Sequence, residues 1–118
     1  MESIENLSTN GIWSIINQQL QENKNPYEDV NAVYEFQLTD EESGIYQLEF
    51  KNGDAFVYYT NEKNPDCTLK MKLNHFKKFL LGNLNSTTAF MTGKLKIDGN
   101  ISLALKLENM LKQYEFSK

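Results

Sequence analysis

Asn52-Gly53 restricts the fold of this 118-residue chain more than any other feature. The dipeptide tolerates positive φ at both positions and suits a two-residue hairpin turn. Before it, over residues 44–51, Tyr46, Leu48 and Phe50 alternate with Gln47 and Glu49. After it, residues 54–60 supply a partner strand. If Asn52 and Gly53 are the loop, Lys51 faces Asp54, Phe50 faces Ala55, Leu48 faces Val57 and Tyr46 faces Tyr59. The last six share one face, taken as inner. Phe56 and Tyr58 then point the other way, beside Glu49 and Gln47. Aromatics on both faces require either a second covering layer, such as a helix carrying Trp13, or an exposed aromatic patch.

The remaining elements are ordered around this hairpin. A first helix is capped by Thr9 or Asn10, with Ile12, Ile16 and Leu20 at four-residue spacing beside Trp13, and ends in residues 21–25 before Pro26. Ala32–Leu38 alternates as a strand, with Ala32, Tyr34, Phe36 and Leu38 on one face. An acidic turn over 39–44 follows it. Residues 61–66 read as a loop. Residues 67–73 form a fourth strand, with Cys67, Leu69, Met71 and Leu73 inward. Asn74 reads as the cap of a helix with Phe76, Phe79 and Leu80 as its stripe and Gly82 as its stop. Ala89-Phe90-Met91 fits one short helical turn, and residues 92–98 a fifth strand with Leu95 and Ile97 inward. The last helix runs from near residue 100 to about residue 114. Its apolar arc (Leu103, Ala104, Leu107, Met110, Leu111, Tyr114) is widened by Ile101 and Leu105, so it is either deeply packed or lines a cavity. This order predicts an α+β fold, a mostly antiparallel five-stranded sheet with helices over one face.

Composition excludes several functions. The length suits one domain spanning 1–118. No apolar run approaches a membrane span, and residues 1–6, with neither a basic nor an apolar region, are not expected to form a secretory signal. A lone cysteine, Cys67, allows no internal disulfide and fits a reducing compartment. The net charge is −4, from 12 basic and 16 acidic residues, and every basic residue is lysine. Without arginine, and with an acidic balance, nucleic-acid binding is not expected. Cys67 and His75 are the only nucleophile and base of their kinds. No third group orients them, so Cys67 reads as a small buried hydrophobe and His75 as a surface residue at a helix start. Asp40-Glu41-Glu42 reads as a solvated turn. Gly93 and Gly99 flank a strand and serve turns; they do not form a phosphate loop. No enzyme activity, metal site or cofactor is expected.

A resemblance sharpens this reading. Leu-Asn-His-Phe at 73–76, Leu81-Gly82-Asn83-Leu84, and Ala-Phe-Met-Thr-Gly-Lys-Leu-Lys-Ile-Asp-Gly-Asn at 89–100 stand out. With Ile101, Leu103, Ala104, Lys106 and Leu107 after them, and the Asn52-Gly53 hairpin and Asp66-Cys67-Thr68 before them, they resemble the sterol carrier protein type-2 family. The resemblance implies an apolar tunnel between sheet and helices. It also implies non-enzymatic binding or transfer of a fatty acid, fatty acyl-CoA, phospholipid or sterol-like ligand. The peroxisomal ending of the animal carriers is not matched by Glu115-Phe116-Ser117-Lys118, so a cytoplasmic location is expected.

The implied tunnel wall draws on strand residues Leu48, Phe50, Val57, Leu69, Met71, Leu95 and Ile97. Its helix side draws on Phe76, Phe79, Leu80, Leu103, Leu107 and Leu111, with Phe90 and Met91 at an entrance. Taken singly, each is ordinary core; only the resemblance makes it a wall. An anionic headgroup could rest near Lys94, Lys96, Lys77 or Lys78. Burying an acyl chain gains about 0.8 kcal/mol per methylene, roughly 10 kcal/mol gross. Association costs leave an affinity on the order of micromolar. The alternative is an accessory or scaffold protein for an enzyme of lipophilic metabolism, docking through Phe56, Tyr58 and Tyr114-Glu115-Phe116. Homodimerisation and transient contact with a membrane surface belong to the same set of expected partners.

Overall fold

The hairpin forms in the expected register. In the computed structural model, which describes residues 4–41 and 44–116, Asn52 and Gly53 have φ of 54° and 80°. They join β2 (Ile45–Lys51) to β3 (Asp54–Tyr58), with Leu48 opposite Val57, Phe50 opposite Ala55 and Lys51 opposite Asp54. β3 stops at Tyr58, two residues short of the expected end. The register therefore does not reach Tyr46 and Tyr59, although their rings meet edge to face at 5.7 Å.

β1 (Ala32–Leu38) pairs antiparallel with β2 and parallel with β4 (Cys67–Met71), and β5 (Lys96–Gly99) pairs antiparallel with β4. The sheet order is β3-β2-β1-β4-β5. It is mostly antiparallel, with one parallel pair, and helices cover its inner face.

α1 (Thr9–Glu22) lies on that inner face. Trp13 is fully buried, its ring centroid 5.1 Å from Phe36, 5.2 Å from Tyr46 and 5.4 Å from Phe76. It is therefore not the cover of the second face. Ser8 caps α1 by accepting from the Gly11 N–H, in place of Thr9 or Asn10. Those two look elsewhere: the Thr9 hydroxyl donates to Glu41 at 2.6 Å, and Asn10 Oδ1 accepts from the Tyr46 hydroxyl at 3.1 Å.

The outer face is covered in part by the chain itself. To pass from edge strand β3 to β4, residues 59–66 cross β2 and β1. Gln47, fully buried, holds this crossover: its Oε1 accepts from the Glu62 and Lys63 N–H groups, and its Nε2 donates to the Lys63 carbonyl and to Glu35. Phe56 stays 44% exposed, while the Tyr58 hydroxyl donates to Glu49 at 2.9 Å.

α2 (Leu73–Leu80) starts earlier than its sequence suggests. β4 ends at Met71, Leu73 is the first helical residue, and Asn74 lies inside the helix. Lys72 occupies the cap position without a side-chain bond; Asp40 accepts from the Leu73 N–H at 2.8 Å instead. The acidic turn is thus used on both sides, by Asp40 and by Glu41, and is not merely solvated. Glu42 lies outside the described residues. Gly82, at φ 79°, follows the end of α2 as expected.

α3 (Ser86–Met91) is capped by Asn85, which accepts from the Thr88 N–H. β5 begins at Lys96, four residues later than expected, because the Lys94 and Leu95 N–H groups both bond the Ala89 carbonyl and wrap the end of α3. α4 (Ile101–Leu111) is capped by Asn100 and ends three residues early. The chain then turns back to α1: the Tyr114 hydroxyl donates to the Asn23 carbonyl, Gln19 bonds both the Glu115 N–H and carbonyl, and Phe116 is buried. Phe116 is therefore no exposed docking residue. No described helix is long and apolar enough to cross a membrane.

Candidate lipid site

Alternation places Tyr34, Phe36, Leu48, Phe50, Leu69 and Met71 on the inner face, all buried. Val57 and Ile97, toward the sheet edges, are half-buried. Phe76, Phe79 and Leu80 from α2, Leu95, and Leu107 and Leu111 from α4 are buried in the same apolar cluster, with Leu103 packed against it. The Leu103 carbonyl accepts from the Tyr34 hydroxyl at 2.9 Å. Most of the wall residues named from sequence thus meet in one apolar interior. Phe90 and Met91 do not: they are 42% and 80% exposed.

Among the described residues, clefts lie beside this interior, three of which bear on the site. One of about 50 Å³, almost purely apolar, lies between α3, β5 and α4 and is lined by Phe90, Ile97, Ile101 and Leu105 with Ser86 and Thr87. It answers the question posed by the wide arc of α4: Ala104, Leu107, Met110 and Leu111 pack inward, while Ile101 and Leu105 line a cleft. A second, of about 210 Å³, lies between the end of α2 and the C-terminal segment, with Leu80 and Leu111 in its wall.

The third, of about 350 Å³, brings Lys70, Lys72, Lys94 and Lys96 together with Thr39, His75 and Gly93 over Met71. Lys94 and Lys96 were expected near a headgroup; Lys77 and Lys78 do not line this cleft. Lys70 and Lys72 were missed, although the signal existed, since antiparallel β4–β5 pairing sets Lys70 opposite Lys96. Lys70 lies 3.7 Å from Asp98; among the described residues, Lys72, Lys94 and Lys96 have no acidic partner within ion-pair distance. His75 is half-buried rather than a plain surface residue, and its Nδ1 is buried with no hydrogen-bond partner.

The cleft belongs to a larger polarity. Residues 67–107 carry seven lysines and one acidic residue, Asp98; the rest of the chain carries five lysines and fifteen acidic residues. A chain of net charge −4 thus concentrates its cations on β4, β5 and the helices around them.

α3 is fixed by a pair that sequence reading overlooked. Glu108, buried on α4, accepts from the Ser86 N–H at 3.0 Å and from the Ser86 hydroxyl. Lys112 lies 3.4 Å from its other oxygen. Burial alone would raise the Glu108 carboxyl; the Ser86 bonds and Lys112 outweigh it and hold the group below its ordinary value.

Cys67 is buried, and burial, then the charge of Asp66, pushes its thiol up to about 11. A thiol so shifted is protonated at neutral pH and a poor nucleophile. Among the described residues no group of His, Cys, Asp and Glu is placed to hold a metal.

An apolar interior roofed by helices, with clustered cations in a cleft beside it, suits a domain that holds an amphipathic molecule. The family model for the SCP-2 sterol transfer family matches residues 14–112. The chain belongs to that family, whose fold binds and transfers lipid. It is 41% identical over 83 residues to hydroxysteroid dehydrogenase-like protein 2 of Bos taurus, covering 70% of this chain and 20% of that protein. It is 30% identical over 112 residues to sterol carrier protein 2 of Bos taurus, covering 92% of this chain and 21% of that one. The chain therefore spans about a fifth of the length of these relatives. Among solved structures, sterol carrier protein domain 2 of Helicoverpa armigera superposes with a TM-score of 0.70 at 27% identity, over 88% of this chain and 84% of that one.

Proposed function

We propose that residues 1–118 act as one non-catalytic domain that carries an acyl-chain lipid, with the hydrocarbon in the interior between the sheet and α2–α4. The wall is the set named from sequence, and the anionic headgroup rests in the lysine cleft. Met71 carries this reading. It is an inner-face core residue, 2% exposed, and also lines the cationic cleft. One flexible side chain thus belongs to both the apolar core and the charged cleft, and its displacement would join them. The lysines without acidic partners supply polar contacts for a carboxylate or phosphate.

The test is native mass spectrometry of freshly purified protein with solvent extraction, followed by titration with a fluorescent fatty acid. A bound fatty acid, phospholipid or acyl-CoA, and micromolar titration, are expected. Leu107→Glu should abolish binding while circular dichroism stays native; should it unfold, Leu107→Ala, with weakened binding, serves in its place. Lys72→Gln with Lys94→Gln should weaken a fatty acid about tenfold or more and leave an uncharged monoacylglycerol unchanged. A clean apo mass with no response to added lipid would overturn the reading.

An accessory role is favoured by one observation: the relative named as dehydrogenase-like contains the matching segment as a fifth of a longer protein. In that reading the chain presents a lipophilic substrate to a separate enzyme.

A further inference from the structure

Trp13 is fully buried, and among the described residues no group accepts from its Nε1–H. An indole nitrogen is a donor only and keeps its proton, and in a folded core it ordinarily finds a partner. Buried tyrosines of the same core are served: the Tyr27, Tyr34 and Tyr46 hydroxyls donate to the Leu20 carbonyl, the Leu103 carbonyl and Asn10 Oδ1. Packing does not serve Trp13. The rings of Tyr46 and Phe76 stack against it, with 16° and 22° between planes, whereas an indole N–H lies in the plane of its own ring. Phe36, inclined at 65°, offers only the weak contact of another ring. Trp13 also sits beside the proposed lipid path. Its stacking partner Phe76 belongs to the proposed wall. On the sheet, Phe36 stands opposite Leu69; in the next row of the same face, Leu38 stands opposite Met71, which lines the cationic cleft. A lipid whose headgroup rests in that cleft therefore brings its hydrocarbon, not its headgroup, past Trp13.

We propose that Trp13 Nε1–H donates to an oxygen borne on the ligand's hydrocarbon, so that the domain selects acyl chains with an in-chain keto group over the plain saturated chain. This selection rests on the carrier function proposed above and names its ligand class. A keto oxygen suits a lone donor because it brings no proton that would need a partner of its own; a hydroxyl suits it less well. The sign of the preference is diagnostic. In a purely apolar interior an in-chain oxygen is buried without a bond and weakens binding. Beside an unpaired donor the oxygen gains a bond, and the plain chain is the one that leaves a buried polar group unsatisfied.

Displacement of a fluorescent fatty acid tests it, comparing stearic acid with a panel of oxostearic acids in which the keto group is moved along the chain. One keto position should bind roughly tenfold tighter than stearic acid. Trp13→Phe, which keeps an aromatic ring and removes the donor, should bind that keto acid no better than stearic acid. Trp13 is the only tryptophan, so its indole N–H gives a single resonance in an isotope-labelled sample. That resonance should move downfield with the preferred keto acid and not with stearic acid. It decides the matter in the natural chain should Trp13→Phe fail to fold or to bind. Equal affinities across the panel, a preference that survives Trp13→Phe, or an indole proton moved alike by both acids would overturn the selection and leave the carrier function standing. Binding of no fatty acid at all would overturn the carrier function, and the selection with it.

Discussion

Ser86 and Glu108 lie 22 residues apart, and their contact sets where α3 sits on α4. The apolar cleft between those helices depends on it. Glu108→Ala strands the buried Ser86 N–H and should cost about 2 kcal/mol, seen as a melting point lowered by several degrees; Glu108→Gln, which keeps an acceptor, should cost less. The pH dependence follows from the depressed carboxyl. Its stabilisation is fully present above the unfolded-state value of about 4.5 and is lost as pH falls through the lower folded-state value. Urea midpoints measured from neutral pH down to about pH 3 should fall more steeply for the natural chain than for Glu108→Gln. This residue was legible in principle. Glu108 follows Ala104 by four positions and precedes Leu111 by three, which places a carboxylate inside the apolar arc. Its partner was not legible, because nothing local ties Ser86 to α4.

Among the elements, the β2–β3 register was readable from Lys51–Asp54 to Leu48–Val57 because it is set by the two residues that turn it, though not as far as Tyr46 and Tyr59. The boundaries of β4, α2 and β5 were not, because distant groups fix them: Asp40 for α2, and the Ala89 carbonyl for the approach to β5. The end of β5 shows a tighter constraint. Gly99 has φ of 92°, and a Cβ there would lie 2.5 Å from the Asp66 carbonyl oxygen, whereas one at Gly53 would meet nothing within 4 Å. Gly99→Ala should therefore lower the urea midpoint by more than Gly53→Ala, which bears only the backbone cost of about 1 kcal/mol. Equal losses would mean that the Asp66 contact relaxes freely.

For the molecule as a whole, alternation and helical spacing identified most of the residues that meet in the apolar interior. The charge polarity went unread because net charge averages it away; it emerges only when β4 and β5 are placed side by side. Trp13, the only tryptophan, is fully buried in the aromatic cluster beneath α1 and α2. Its fluorescence should shift when lipid enters. A ligand at one hundred times its dissociation constant should add about 2.7 kcal/mol of stability and raise the melting point by roughly 5–15 °C. An unchanged melting point in the presence of saturating lipid would speak against an interior site.

The order β3-β2-β1-β4-β5 also governs how the chain assembles as it leaves the ribosome. The first 66 residues can complete a three-stranded meander, but β1 is then a terminal strand. Its free side presents unsatisfied N–H and C=O groups beside Tyr34 and Phe36. The parallel partner arrives only with Cys67–Met71, after the crossover loop has been threaded across Gln47. Until that strand emerges, the nascent chain displays the open edge that seeds association between chains. Production therefore favours conditions that keep the number of growing chains low or shield each one until Met71 has emerged.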